Sequence, residues 1–195
     1  MEETTIPLQS VTKVIGLETL GSTQDLAYEL AQKGEPDGTL VLACEQTAAR
    51  CQSGCVFSAG EGGVYFTLIL RPQKADLCAL SLSKHAAQAA ADMLAEVFEI
   101  KTKVKAPHAV LAWEPKTRKW KKIAGVLVET FFDETNRVAL VGMGVNVNNR
   151  LSASLRETAV SVKQIIGAET SKELFLDALL DCFWKHYAHW NVSIR

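Results

Sequence analysis

A chain of 195 residues, 48% apolar and 22% charged, is long enough to bury one sizeable core and too ordinary in composition for long disorder. Its formal net charge of -1 excludes a global basic footprint for nucleic acid or an anionic membrane, so any anionic ligand must be met by local charge. Five cysteines, no apolar run of membrane-spanning length and an acidic N-terminus without an apolar core predict a cytoplasmic protein with reduced cysteines.

In chain order, "VTKVIGLETL" reads as a strand. "GSTQDLAYELAQKG" follows as a helix, with Ser22 and Thr23 as candidate caps, an apolar stripe at Leu26, Ala27 and Leu30, and Gly34 as a stop. "GTLVLACEQTA" and "GGVYFTLILRP" read as paired strands joined by the loop around "ARCQSGCVFSAGEG", and Pro72 ends the second. "DLCALSLSKHAAQAAADMLAEVF" is the longest helical signal, free of glycine and proline and suited to covering one face of a sheet. "KTKVKAP", "AVLAWEP" and "KKIAGVLVETFF" are strands, the last two separated by the basic, turn-like "EPKTRKW" in the manner of a hairpin. "RVALVGMGVNVNN" is a further apolar strand, and "SKELFLDALLDCFWKHYAHW" is an amphipathic helix capped by Ser171. Strands interleaved with a few helices and partly joined by hairpins predict one α+β domain over residues 1–195, with a mixed, largely antiparallel sheet covered by helices.

Four features can carry chemistry. In "KKIAGVLVE", Lys122 enters a strand just before Ala124 and Gly125, so it can reach into a cleft whose glycine lets a ligand approach the backbone. The bland alternative is a solvated strand edge. In "GMGVNVNN", the period of two puts Gly142 and Gly144 on one face, with Asn146 and Asn148 on one side of the same strand, leaving room for a flat ligand or simply for close packing. "GSTQD" offers short polar groups at a helix mouth, and the loop offers Arg50 for a phosphate or carboxylate with Gly54 for freedom. Cys44, Cys51, Cys55 and His108 could be assembled into a zinc set, but no second pair with motif spacing follows. The spacing of Cys51 and Cys55 is also not that of a thioredoxin-like pair, so no metal is expected and the loop reads as carrying two thiols.

Taken in order, "STQ", "EQTAAR" with its downstream Gly54 and Phe57, "VKAP", "KKIAGVLVE" and "GMGVNVN" resemble the catalytic domain of biotin protein ligases and, more distantly, lipoate ligases, from about Ile15 to Asn149. The resemblance implies a fold related to class II aminoacyl-tRNA synthetases. It also implies a reaction: biotin and ATP, with Mg²⁺, form biotinyl-AMP, and the acyl group passes to a lysine of a carboxylase carrier domain. On the same resemblance, Ser22, Thr23, Gln24 and Gln46 contact the biotin ring system. Lys122 and Arg50 are the catalytic cations at the carboxylate and phosphate, Cys51 and Gln52 lie in the adenylate loop, and Gly125, Gly144 and Asn146 shape the pocket floor.

Two stretches depart from the family pattern. The loop keeps Arg50 and Gly54 but has Gln52, Ser53 and Cys55 at arginine positions, removing charge-assisted hydrogen bonds worth roughly 1.5–3 kcal/mol each. "APHA" stands where Trp-Pro-Asn-Asp is expected, so Ala109 replaces the aspartate that helps place Mg²⁺. A relative that binds biotin, lipoate or a carrier domain without turnover is therefore the alternative reading. No N-terminal DNA-binding domain, no C-terminal β-barrel, no nucleic-acid or membrane partner, and a homodimer as an option complete the expectations.

Overall fold

The computed structural model describes residues 11–51, 58–73, 78–132 and 137–191. In chain order the elements are β1 (Lys13–Leu20), α1 (Thr23–Gln32), β2 (Thr39–Gln46), β3 (Val64–Leu70), α2 (Ala79–Phe98), β4 (Thr102–Lys105), β5 (Ala109–Glu114), β6 (Lys119–Phe132), β7 (Arg137–Val145), α3 (Val162–Ile166) and α4 (Lys172–Asn191). The strands form one sheet in the order β1-β2-β3-β7-β6-β5-β4. β1 and β2 pair in parallel because α1 returns the chain to the starting edge, and every other pair is antiparallel. This is the mixed, largely antiparallel α+β architecture expected from the sequence.

The two faces of the sheet have different covers. On the back, Leu40, Phe66, Leu68, Leu70, Val126, Val128, Val141 and Met143 pack against α2 and α4 through Leu82, Ala86, Ala90, Leu94, Phe175, Leu179 and Phe183. On the front, Ala27 and Ala31 of α1 pack against Val41, Ile69, Val138 and Leu140. A helix of 10 residues is only about 15 Å long, so α1 covers part of the front and leaves the sheet open beyond its N-terminus. The caps follow the sequence: the Ser22 hydroxyl accepts from the Asp25 amide at 3.4 Å, Gly34 takes φ +86° just past the helix, and the Ser171 hydroxyl accepts from the Leu174 amide at 3.2 Å.

Three expectations are corrected. β6 begins at Lys119 rather than Lys121, so "EPKTRKW" is only partly turn: Trp120 lies opposite Trp113 with ring centroids 5.6 Å apart, and Lys119 lies opposite Glu114. β7 ends at Val145, so Asn146 and Asn148 share no strand face. Instead Asn146 Oδ1 accepts from Asn149 Nδ2 at 2.9 Å, while Asn148 exchanges hydrogen bonds with the Thr170 backbone at 2.7 and 3.0 Å. Cys51 is disulfide-bonded rather than a thiol, whereas Cys44, Cys78 and Cys182 are free. Its sulfur is accordingly no thiolate ligand for zinc.

Candidate functional site

An open cleft lies on the front of the sheet where α1 stops. Its floor is backbone. Gly125 of β6 lies directly opposite Gly144 of β7, and Gly142 lies opposite Leu127, so three positions on this face carry no side chain. At Gly142 a Cβ would fall 2.5 Å from Gln24 Oε1, so a side chain there would push the Gln24 amide out of its place.

A β-bulge decides where Lys122 points. Val110 pairs with Ala124 and Leu111 with Lys122, leaving Ile123 as the extra residue of β6. Without that insertion strict alternation would put Lys122 on the back face, whereas with it Lys122 joins Gly125 on the cleft face. The segment Thr158–Val160 pins the lysine's backbone, with Lys122 N donating to Thr158 O at 2.8 Å and Val160 N to Lys122 O at 3.0 Å. Burial pushes the Lys122 ammonium below its ordinary pKa, so an anion in the cleft would be a favourable partner for it.

A polar network lines the opposite wall. Gln46 Oε1 accepts from the Thr23 amide at 2.7 Å and from the Thr23 hydroxyl at 3.1 Å, which leaves Gln46 its amide NH₂ to offer a ligand. The Thr67 hydroxyl lies 3.0 Å from Thr23 Oγ1 and 3.2 Å from Gln24 Oε1, while Gln24 Nε2 donates to Glu129 Oε2 at 2.9 Å. Both ends of the Gln24 amide are thus engaged within the wall. Arg50 completes it: Nη2 donates to Glu129 Oε1 at 2.6 Å, and Nη1 donates to Asp25 Oδ1 at 2.9 Å and to Glu129 Oε2 at 3.1 Å. Burial opposes the Arg50 charge, and Glu129 with Asp25 outweighs it, raising the guanidinium's pKa.

Of the sequence candidates, Ser22, Thr23, Gln24, Gln46, Arg50, Cys51, Lys122, Gly125 and Gly144 line this one cleft. Asn146 is not among the lining residues and is buried in its bond to Asn149, and Gln52 lies outside the described residues. Sequence reasoning assigned no role to Thr67 or Asp25, and read Glu129 only as a structural match to the glutamate of the family's Leu-x-Glu. Thr67 had a signal, a small polar residue inside the fully buried "VYFTLIL", but the pairing of Arg50 with Glu129 across 79 positions had none. His108, considered as a metal ligand and as the residue standing at the asparagine of the family's Trp-Pro-Asn-Asp, also lines the cleft.

Fold and cleft together define a class. A solved biotin protein ligase from Aquifex aeolicus, in complex with biotin and ATP, superposes with a TM-score of 0.75 at 26% identity, covering 92% of this chain and 72% of that one. Residues 16–148 match the biotin/lipoate A/B protein ligase family, and the chain belongs to that family. It is 35% identical over 175 residues to the bifunctional ligase/repressor BirA of Bacillus subtilis, covering 87% of this chain and 52% of the relative. With the biotin--[acetyl-CoA-carboxylase] ligase of Paracoccus denitrificans it shares 30% identity over 176 residues, 89% of this chain and 70% of the relative. The chain thus spans about half the length of the Bacillus relative.

Proposed function

We propose that the domain is a biotin protein ligase: it activates biotin with ATP to biotinyl-AMP and passes the acyl group to a lysine of a carboxylase carrier domain. The observation that carries the reading is the half-buried ammonium of Lys122 beside the Gly125–Gly144 floor, in a family member similar to named biotin ligases. A flat bicyclic ring can lie on a floor without side chains, with the Gln46 amide and the Thr23 wall at its polar edge. Lys122 then meets the carboxylate and later the phosphate, where a fixed cation stabilises charge that builds up during acyl activation. Arg50 is the second cation, across the cleft.

Magnesium would arrive with the nucleotide phosphates. Ala109 stands where the family's aspartate is expected, and Glu129 and Asp25 are engaged by Arg50. The residues described here therefore do not fit a magnesium held by protein carboxylates. The same two facts favour a second reading, a relative that binds the acid or adenylate without forming it.

Calorimetry with biotin and with lipoate, each alone and with ATP and Mg²⁺, followed by label transfer to a carrier domain, separates the two. Label on the carrier supports the ligase. Biotin binding without adenylate formation leaves the binding protein, and binding of lipoate or octanoate but not biotin moves the substrate and keeps the family.

A further inference from the structure

The turn between β4 and β5 holds a side chain for which the ligase reading has no use. His108 follows the cis Ala106–Pro107 bond, and its backbone is tied to both layers beneath it: Val126 N donates to His108 O at 2.8 Å, and the Ser83 hydroxyl of α2 donates to Pro107 O at 3.3 Å. The ring is thereby carried on a fixed turn into the cleft that also holds Lys122 and Gly125. Its Nδ1 is buried and makes no hydrogen bond. With Nδ1 buried, Nε2 is the ring nitrogen left to act on whatever fills the cleft. Burial, then Lys122 of β6, then Lys105 of β4 push the imidazole below its ordinary pKa, with no carboxylate among the groups acting on it, so it is neutral at neutral pH.

An amine that attacks an acyl-adenylate must shed a proton, and it must do so beside the cation that holds the phosphate. We propose that His108 is the proton acceptor of the transfer half-reaction, placed to receive that proton at Nε2 from the carrier's lysine. The proposal rests on the ligase reading and adds a catalytic residue to it. In the step, the lysine enters as free amine and its Nζ bonds to the acyl carbon. The bond from that carbon to the phosphate oxygen breaks, its electron pair leaves with AMP, and the proton lost by Nζ passes to Nε2 of His108 and on to solvent. The two neighbouring lysines serve this step twice, since their charge adds to burial in disfavouring the imidazolium and also favours the free-amine form of the incoming lysine.

The test measures the half-reactions separately, on the full chain and on His108→Asn and His108→Gln, which keep hydrogen bonding without the base. ATP–pyrophosphate exchange reports adenylate formation. Single-turnover transfer from chemically made biotinyl-adenylate to a carrier domain reports the second half. We expect transfer to fall about a hundredfold, with a much smaller fall in exchange. The parent's transfer rate should show a proton-dependent bend below the ordinary histidine value that both variants lack, and added imidazole should restore part of the rate in His108→Ala. Parental transfer in both variants, or exchange lost as severely as transfer, overturns the proposal. A parent that transfers nothing from supplied adenylate overturns the ligase reading instead, and the two failures are told apart by which protein fails.

Discussion

Lys122 is the residue on which the cleft's chemistry turns, and its environment makes two measurable demands. If it stabilises charge developing on the acyl phosphate, Lys122→Ala should lower kcat/KM for label transfer by about 10²–10³, the usual loss for one such group; parental activity in that variant would remove the role. Burial holds the Lys122 ammonium below its ordinary pKa, and a bound carboxylate would raise it again. Biotin affinity should therefore be flat below the free protein's Lys122 pKa and decline above it, with proton uptake on binding in that alkaline window. Calorimetry in buffers of different ionisation enthalpy reads the uptake, and Lys122→Met should abolish it. Glu129 works against Arg50 rather than with it. Because both side chains are about a third exposed or more, at 33% and 43%, the pair is worth only ~0.2–1 kcal/mol of stability. Glu129→Gln keeps the shape and removes a negative charge beside Arg50, the cation proposed to meet the phosphate. It should leave the melting temperature nearly unchanged and tighten retention of the adenylate, measured by its dissociation rate. Faster dissociation would show instead that Glu129 holds the guanidinium in place.

At the scale of elements, the β5–β6 hairpin supports Lys122 from below through a buried ion pair. Lys121 Nζ lies 2.8 Å from Glu114 Oε2, with side chains 5% and 10% exposed, and also donates to Arg156 O at 2.5 Å. Burial alone would raise the Glu114 pKa, but the hydrogen bonds from Lys121 and Thr117 and the lysine charge outweigh it, so the carboxyl sits below its ordinary value. A depressed carboxyl contributes stability above the unfolded-state pKa and loses it as pH falls through the folded value. Glu114→Gln leaves a buried ammonium without its counter-charge, and urea unfolding at neutral pH should show a loss of about 3–5 kcal/mol that narrows on acidification. A variant as stable as the parent at neutral pH would mean that Arg156 O alone satisfies Lys121. This hairpin also marks where sequence reading stops. Alternation and turn residues made β5 and most of β6 legible, and Ser22, Gly34 and Ser171 gave away the helix ends through their capping chemistry. The bulge at Ile123, which turns Lys122 into the cleft, leaves no mark in "KKIAGV" because it lies in the register with β5. α3, five residues long, is too short to show a period, although its Ser161 and Gln164 form a capping box. The resemblance supplied nine of the seventeen residues that line the cleft, while the Arg50–Glu129–Gln24 network depended on contacts between distant segments.

Across the whole molecule the two faces divide the work. α2 and α4 bury the back of the sheet against a continuous core, and the short α1 leaves the front open just where the glycines of β6 and β7 stand side by side. The cleft is lined from the start of α1, β2, β3, the β4–β5 turn, β6 and β7, so a ligand there ties together segments from Ser22 to Gly144. A ligand that binds only this folded arrangement stabilises it by about 2.7 kcal/mol at a hundred times its dissociation constant. For a chain of this length each kcal/mol raises the melting temperature by about 2–4 °C, so saturating biotin with ATP should raise it by about 5–10 °C. Lys122→Ala should lose much of that shift, because a tenfold weaker ligand contributes about 1.4 kcal/mol less at the same concentration. His108→Gln should keep most of it, since the role inferred for the imidazole lies in the passage of a proton after the adenylate is bound. Scanning calorimetry of the three proteins, with and without ligands, reads all of this directly. An unchanged melting temperature in the parent would mean that the cleft does not hold this pair of ligands, and an equal loss of shift in both variants would make His108 a binding group rather than a base.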